Sequence, residues 1–212
     1  TTSVTELVEY DGNGNRTRTT DARSNNTDYA YDARNRLTQV TYADTTTSKT
    51  AYDSVGNRTR STDQLSKNTD TFYDGLNRVT KVTDALSNNT TFAYDAGGNR
   101  TRVTDARSNN TDFTFDDAGR LTRTTSPPSS QTTDSYYDSA GNRTRETNAL
   151  TQNTDFKYDD RNRLTRVTDH LSNNSDSFYD KAGNRTRERD ANSNNTDYAY
   201  SAVNQLTQLT NS

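Results

Sequence analysis

YDAGGNRTRVTDARSNNTDFT, residues 94–114, returns almost unchanged as YDKAGNRTRERDANSNNTDYA at residues 179–199. A chain that repeats one polar phrase has to be read by its period first, because a missed repeat misassigns the whole fold. Tyr-Asp or its near equivalent stands at Tyr10, Tyr31, Tyr52, Tyr73, Tyr94, Phe115, Tyr137, Tyr158, Tyr179 and Tyr200. The step is 21 residues, except from Phe115 to Tyr137, where it is 22. The extra residue belongs to SPPSSQTT (126–133), the one Pro-containing segment. Pro removes a backbone donor and is tolerated at turns or edges, so this segment reads as a longer loop.

A second period of 42 lies on the first. Odd repeats carry GNRTR after the Tyr-Asp, at 14–18, 56–60, 98–102, 141–145 and 183–187. Even repeats carry NRLT at 35–38 and 162–165, NRVT at 77–80, GRLT at 119–122 and NQLT at 204–207. We therefore expect one continuous array over residues 1–212, made of five two-repeat modules. It starts and stops in mid-phrase with no distinct cap, the pattern expected of a piece of something longer or of a subunit that joins its neighbours end to end.

Within a repeat, runs rich in Thr, Tyr and Val alternate with turn residues. NTDYAYD (26–32) puts Thr27, Tyr29 and Tyr31 on one face of a strand and Asp28 and Ala30 on the other. Asp53-Ser54-Val55-Gly56 has Asp at the first place of a turn and Gly at the last, a type I hairpin signal. NRTRVTD (99–105) then returns, and DARSNN (105–110) reverses the chain again. In that second turn Asn and Asp are expected to take the part that Gly plays elsewhere. One repeat is thus two strands and two turns, with strands spaced as in all-β folds. Abundant β-branched Thr and the lack of a 3.6-residue apolar stripe argue against helix. The fold class expected is all-β: an antiparallel meander of ten 21-residue repeats, coiled into a solenoid or tubular, shell-like spiral.

Composition explains why the repeats must help one another. Leu, Val and Phe number 11, 9 and 6 and Ile is absent, an apolar supply in the range of disordered chains. The net charge is only −3, from 26 basic and 29 acidic residues, so the chain does not repel itself into a coil. Identical side chains stacked repeat on repeat can form Tyr and Phe columns and cross-strand Thr pairs, each contributing about 0.2–1 kcal/mol. Nearest-neighbour coupling then makes the array cooperative. Cys is absent, which removes disulfides and thiolate metal sites. No run approaches the roughly 20 apolar residues of a membrane-spanning helix.

YDxxGNRTxxTD followed by Tx(Y/F)xYDxxxRLTxxT resembles the YD repeats of bacterial Rhs-type proteins, toxin-complex shell subunits and teneurin-like surface proteins. The resemblance covers essentially the whole chain. It implies β-strand spirals enclosing a hollow shell, often around a toxic polypeptide, or cell-surface structures, and a bacterial, extracellular or cell-surface setting. Two departures stand out: the turn between strands, which usually holds Gly, reads SNN or SKN, and these 212 residues hold no counterpart of the self-cleaving core or variable toxin tip.

The candidate chemistry is thin. Arg16/Arg18, Arg58/Arg60, Arg100/Arg102, Arg143/Arg145 and Arg185/Arg187 stand two apart, which on a regular strand gives two ladders on one face. They read either as a stripe for polyanions or as partners of Asp28, Asp70, Asp112, Asp155 and Asp197. Turn Asp residues read as caps rather than Ca²⁺ ligands, since the β-roll calcium pattern is absent. Asn-x-Thr/Ser sequons at Asn15, Asn25, Asn57, Asn88, Asn99, Asn109, Asn142, Asn173, Asn184 and Asn194 are candidate glycan carriers. His170, the only His, lies in a turn where most sister repeats hold Ala. No nucleophile elbow, phosphate loop or spaced His set occurs. No catalytic, cofactor or metal residue is assigned, and a mildly acidic chain has no general attraction to nucleic acid.

These readings make the expected protein a non-enzymatic structural one. The first expectation is an extracellular homo-polymer, joined head to tail through free end strands into a filament or tube. The second is a shell segment of a larger toxin-enclosing protein, and the third an adhesin that grips glycans.

Overall fold

The computed structural model describes residues 6–127 and 131–212. Pro128, Ser129 and Ser130, the middle of the expected longer loop, lie outside the described residues. The described chain is all-β: antiparallel strands, each folding back on the one before, with no helix among the described residues.

It divides into two compact units, one running to Tyr94 with Arg102–Asn109, the other comprising Asp95–Thr101 and Asn110–Ser212. In the first, β1 (Leu7–Tyr10), β2 (Arg16–Thr20), β3 (Asn26–Tyr31), β4 (Leu37–Thr41) and β5 (Thr47–Tyr52) are followed by β6 (Arg58–Thr62), β7 (Asn68–Tyr73), β8 (Val79–Thr83) and β9 (Asn89–Tyr94). β10 (Arg100–Thr104) is divided between the units. In the second, β11 (Asn110–Phe115), β12 (Leu121–Ser126), β13 (Gln131–Tyr137), β14 (Arg143–Thr147) and β15 (Asn153–Tyr158) lead to β16 (Leu164–Thr168), β17 (Asn174–Tyr179), β18 (Arg185–Arg189), β19 (Asn195–Tyr200) and β20 (Leu206–Asn211). Within each unit every strand pairs antiparallel with the next, a meander with no crossover.

The repeated letters are explained by hydrogen bonds. At a Tyr-Asp turn such as 53–57, the Asp53 N–H donates to Asn57 O and the Gly56 N–H to Asp53 O. One carboxylate oxygen of Asp53 accepts the N–H groups of Val55, Gly56 and Asn57, and the other accepts the Asn57 side-chain amide. The fourth turn residue must take positive φ, and Gly56 does so at 110°. DARSNN closes the same way around Asp105, but the residue at positive φ is Ser108 (64°), not an Asn or Asp. Asn109 instead donates its amide to Asp105. This corrects the expected division of roles: Ser carries the backbone strain and Asn supplies the cap.

Beside each Tyr-Asp turn the register slips by one residue, as between Ala30 and Tyr31, where Tyr31 faces Leu37 rather than Thr38. Such a bulge interrupts the ladder and leaves carbonyls in need of other donors. The Thr38 hydroxyl donates to Ala30 O at 3.1 Å inside the hairpin. The Tyr52 hydroxyl, arriving from the next repeat, donates to Leu37 O at 3.0 Å. Tyr31, Tyr73, Tyr94, Tyr137, Tyr158 and Tyr179 repeat this on Arg16, Arg58, Val79, Leu121, Arg143 and Leu164. Each of these seven tyrosines is therefore a strap across to the preceding hairpin. Phe115, which has no hydroxyl, cannot make it.

No hydrophobic residue is fully buried among the described residues. The repeat rings from Tyr31 to Tyr200 are half-buried and Tyr10 is exposed. The expected aromatic columns prove to be layers in which guanidinium groups lie over rings, Arg36 4.4 Å from the centre of Tyr52 and Arg163 4.5 Å from Tyr179.

Candidate functional site

The bulge also decides where the arginines go. In β1–β2, Glu9 faces Arg18 and Tyr10 faces Arg16, although Arg16 and Arg18 are two apart. Glu9 and Tyr10 are consecutive, so they lie on opposite faces, and each shares its face with its partner. Arg16 and Arg18 are thus separated, and the same holds for Arg58/Arg60, Arg143/Arg145 and Arg185/Arg187. This overturns the expected pair of ladders on one face, because a regular strand was assumed where a bulge intervenes.

On the Tyr-bearing face, Arg16 lies 4.3 Å over Tyr29, Arg143 4.8 Å over Phe156 and Arg185 4.9 Å over Tyr198. On the opposite face, Arg18–Asp28, Arg145–Asp155 and Arg187–Asp197 meet at 2.5 Å, and Arg60 binds Asp70. Arg123–Asp134 and Arg166–Asp176 extend the series at 2.5 Å. In each of these pairs the arginine holds the aspartate pKa down or has its own pushed up, chiefly through the direct hydrogen bond. The Arg stripe is consequently neutralised along most of its length.

Each Arg–Asp pair sits in a cross-strand row of four. The residue before the repeat Tyr faces a cation, the cation faces Asp, and Asp faces a residue near the end of the next strand. Thr114–Arg123–Asp134–Thr147 shows the pattern. In Lys157–Arg166–Asp176–Arg189 both outer places hold cations. Asp176 is the one buried residue among those described, 3% exposed, with Arg166 on one oxygen and Arg189 on the other. Sequence reading missed this row; the available signal was Arg189 standing where the sister repeats have Thr.

The sequon asparagines all take the fifth place of a turn. Each donates its amide to the Asp four residues earlier, at 2.7–3.0 Å. Asn15, Asn57, Asn142 and Asn184 spend their other amide hydrogen on Asn35, Asn77, Asn162 and Asn204 of the following Tyr-Asp turn. The return link runs from Arg36, Arg120 and Arg163 to the carbonyls of Asp53, Asp138 and Asp180. Here the period of 42 acquires a physical meaning. An odd turn supplies a Gly for the backbone and an Asn donor; an even turn supplies an Asn acceptor and an Arg, save that Gly119 replaces the Asn in one and Gln205 the Arg in another.

Most turn carboxylates are held below their ordinary range. The Arg163 side chain, then its backbone N–H, lowers Asp159 from 3.8 to about 2. The Asn side chain four residues on does the same in direction for Asp21, Asp105 and Asp138. Among the described residues no three acidic or His side chains converge as a metal-ligand set, and His170 is exposed in its turn.

What these contacts define is a repeat scaffold, in which nearly every recurrent polar side chain is committed to its own turn or to the next repeat. The profile of the Teneurin YD-shell family matches residues 3–176 and, in a second overlapping register, 65–212, and the chain belongs to that family. Its fold is similar to the crystal structure of TcdB2-TccC3-TEV, with a TM-score of 0.68 and 17% identity over 96% of this chain. It is also similar to TcdB2-TccC3 without the hypervariable C-terminal region (TM-score 0.56, 17% identity, 97% of this chain). A third likeness is to the Photorhabdus luminescens Tc holotoxin pore (TM-score 0.54, 16% identity, 99% of this chain). The chain spans only 13–14% of the length of these three chains. A search of curated protein sequences finds no match.

Proposed function

We propose that these repeats are wall: a non-enzymatic segment of a YD-repeat shell, continuous over residues 1–212, that encloses a polypeptide in a secreted or cell-surface protein. The observation that carries this reading is the family match along nearly the whole chain, joined to a fold likeness with toxin-complex proteins. The side-chain accounting agrees with it. A wall has to hold its shape without a sealed apolar core, and straps, clasps and capped turns supply that rigidity from polar residues.

The head-to-tail filament has weaker support, since it rests on open strand edges, and every open sheet has those. Covalent glycans are best placed at Asn25, Asn88, Asn109, Asn173 and Asn194, which each spend one amide hydrogen on Asp and retain a second for substitution. Electron microscopy of the native material tests the reading. Discrete hollow particles of uniform size are expected, and long uniform fibres would replace the shell with the filament.

A further inference from the structure

We propose that the row Lys157–Arg166–Asp176–Arg189, with Phe178 beside it, is a binding site for an anionic saccharide: a sulfate or carboxylate carried on a pyranose ring. The site lies within the second unit and is independent of whether the chain is shell or filament.

The argument begins with charge. The four residues are direct cross-strand partners on β15 to β18, and strands about 4.8 Å apart place them in a line of roughly 14 Å. Three are cations and one is an anion. Asp176 is buried with both oxygens held, by Arg166 at 2.5 Å and by Arg189, so its charge offsets one of the three cations and the row keeps a net positive charge. A guanidinium has five N–H donors, so each Arg keeps donors for a second partner. Both Arg side chains remain about 40% exposed. Lys157 makes no direct ion pair among the described residues; Asp155, two residues away on its strand, feels its charge but is hydrogen-bonded to Arg145 at 2.5 Å. The other rows built on an Arg–Asp pair carry one cation against one Asp, as in Tyr136–Arg145–Asp155–Thr168 and Phe178–Arg187–Asp197–Thr210.

Shape then selects the ligand. Lys157, Thr165, Arg166, Asp176 and Phe178 line an open groove of about 420 Å³, together with Asp159, which Arg163 neutralises at 2.6 Å; Arg189 stands just outside this lining, on the second oxygen of Asp176. Phe178 stands two residues beyond Asp176 on the same strand face and is 46% exposed, opposite Arg187. An exposed ring next to guanidinium donors offers an apolar platform for one face of a sugar and charge-assisted hydrogen bonds for its acidic group. An extended peptide would need a free sheet edge for its backbone, and β15 to β18 are each paired on both sides. A nucleic acid needs a long run of unpaired cations along its phosphates, whereas the adjoining rows are neutralised and the chain carries −3 overall.

The test is calorimetric titration of the 212-residue chain at about 50 mM salt. The probes are a heparin-type sulfated oligosaccharide, an oligogalacturonate, neutral dextran and a single-stranded oligonucleotide of matched charge. Binding to the sulfated or the uronate probe, or both, is expected, with none to dextran, and the two acidic arms identify which acid the site takes. Arg189→Thr, the sister residue, should weaken binding about tenfold. Phe178→Ala, matching Ala30, Ala51, Ala93 and Ala199, should weaken it several-fold without changing the β-sheet circular dichroism. Thr114→Lys with Thr147→Arg should build the charged row around Arg123–Asp134 and raise the stoichiometry. No binding by the wild-type chain, unchanged affinity in Arg189→Thr, or equal affinity for the oligonucleotide overturns the proposal.

Discussion

The two rims of the meander run the same turn with different residues, and the difference shows where the repeats are coupled. At the Tyr-Asp rim the positive-φ place holds only Gly or Asn: Gly14, Asn35, Gly56, Asn77, Gly98, Gly119, Gly141, Asn162, Gly183 and Asn204. At the far rim it holds Ser24, Thr45, Ser66, Ser87, Ser108, Thr151, Ser172 and Ser193. Ser and Thr carry a Cβ penalty in this conformation that Gly does not, and they lack the side-chain carbonyl that helps Asn. The Tyr-Asp rim is also laced from turn to turn by the Asn and Arg links. At the far rim, side-chain bonds such as Asp21 with Asn25 and Thr20 with Asn26 stay within one turn and its flanking strands.

One rim therefore couples neighbours while the other only closes hairpins. That division agrees with where the sequence varies. The turn 42–46 starts on Tyr42 rather than Asp and is capped from Asp44 instead. The step of 22 residues also falls on a far-rim segment. An uncoupled rim accepts such changes because nothing outside the turn depends on them.

The largest expected effect is acid. Turn carboxylates with lowered pKa contribute stability that is present above their ordinary value near 3.8 and is lost as pH falls through the folded value, about 2 for Asp159. The sheet should melt progressively between about pH 4 and pH 2. Hydrogen exchange across that window should show far-rim amides opening before those at 159–163. Simultaneous opening of both rims would mean the links between Tyr-Asp turns couple nothing.

Next in size is a matched pair of deletions. Asn57→Ala removes the bond to Asp53 and the link to Asn77. Asn88→Ala removes only the bond to Asp84. Thermal or denaturant melts should show a loss of about 1–2 kcal/mol for the first and about 0.5–1 kcal/mol for the second. Equal losses would show that the link between turns contributes nothing measurable.

The period, the all-β meander, the turn at 53–56 and the faces of NTDYAYD were all legible in the sequence, since alternation and turn chemistry are local. The split of Arg16 from Arg18 was not. It depends on a one-residue bulge whose signature is not a residue type but the carbonyls left for Thr38 and Tyr52 to satisfy. The structural part played by Asn57 and Asn142 was hidden for a related reason: Asn-x-Thr is a three-residue pattern, while their hydrogen bonds go to partners 4 residues back and 20 residues on. The row at Arg189 was hidden because a single Thr-to-Arg departure looks like surface noise until cross-strand register sets it against Asp176.

The smallest effect is also the sharpest test of the comparison. On the Tyr-Asp rim, Asn184 reaches 20 residues on to Asn204. On the far rim, Asn173 stands 20 residues before Ser193, and Ser193 is at φ 71°. Ser193→Asn should relieve the strained Ser and receive the second amide hydrogen of Asn173, building a link where none exists. Ser172→Asn relieves the same strain, at φ 67°, but its donor 20 residues back is the longer Gln152. The first variant should gain roughly 1 kcal/mol and the second roughly 0.5 kcal/mol in denaturant melts. If the two gains are equal, relief of backbone strain accounts for all of it. The Asn–Asn links would then follow from turn chemistry without contributing to cooperativity between repeats. If Ser193→Asn gains more, and its advantage disappears on Asn173→Ala, coupling between repeats has been transferred from one rim to the other by a single side chain.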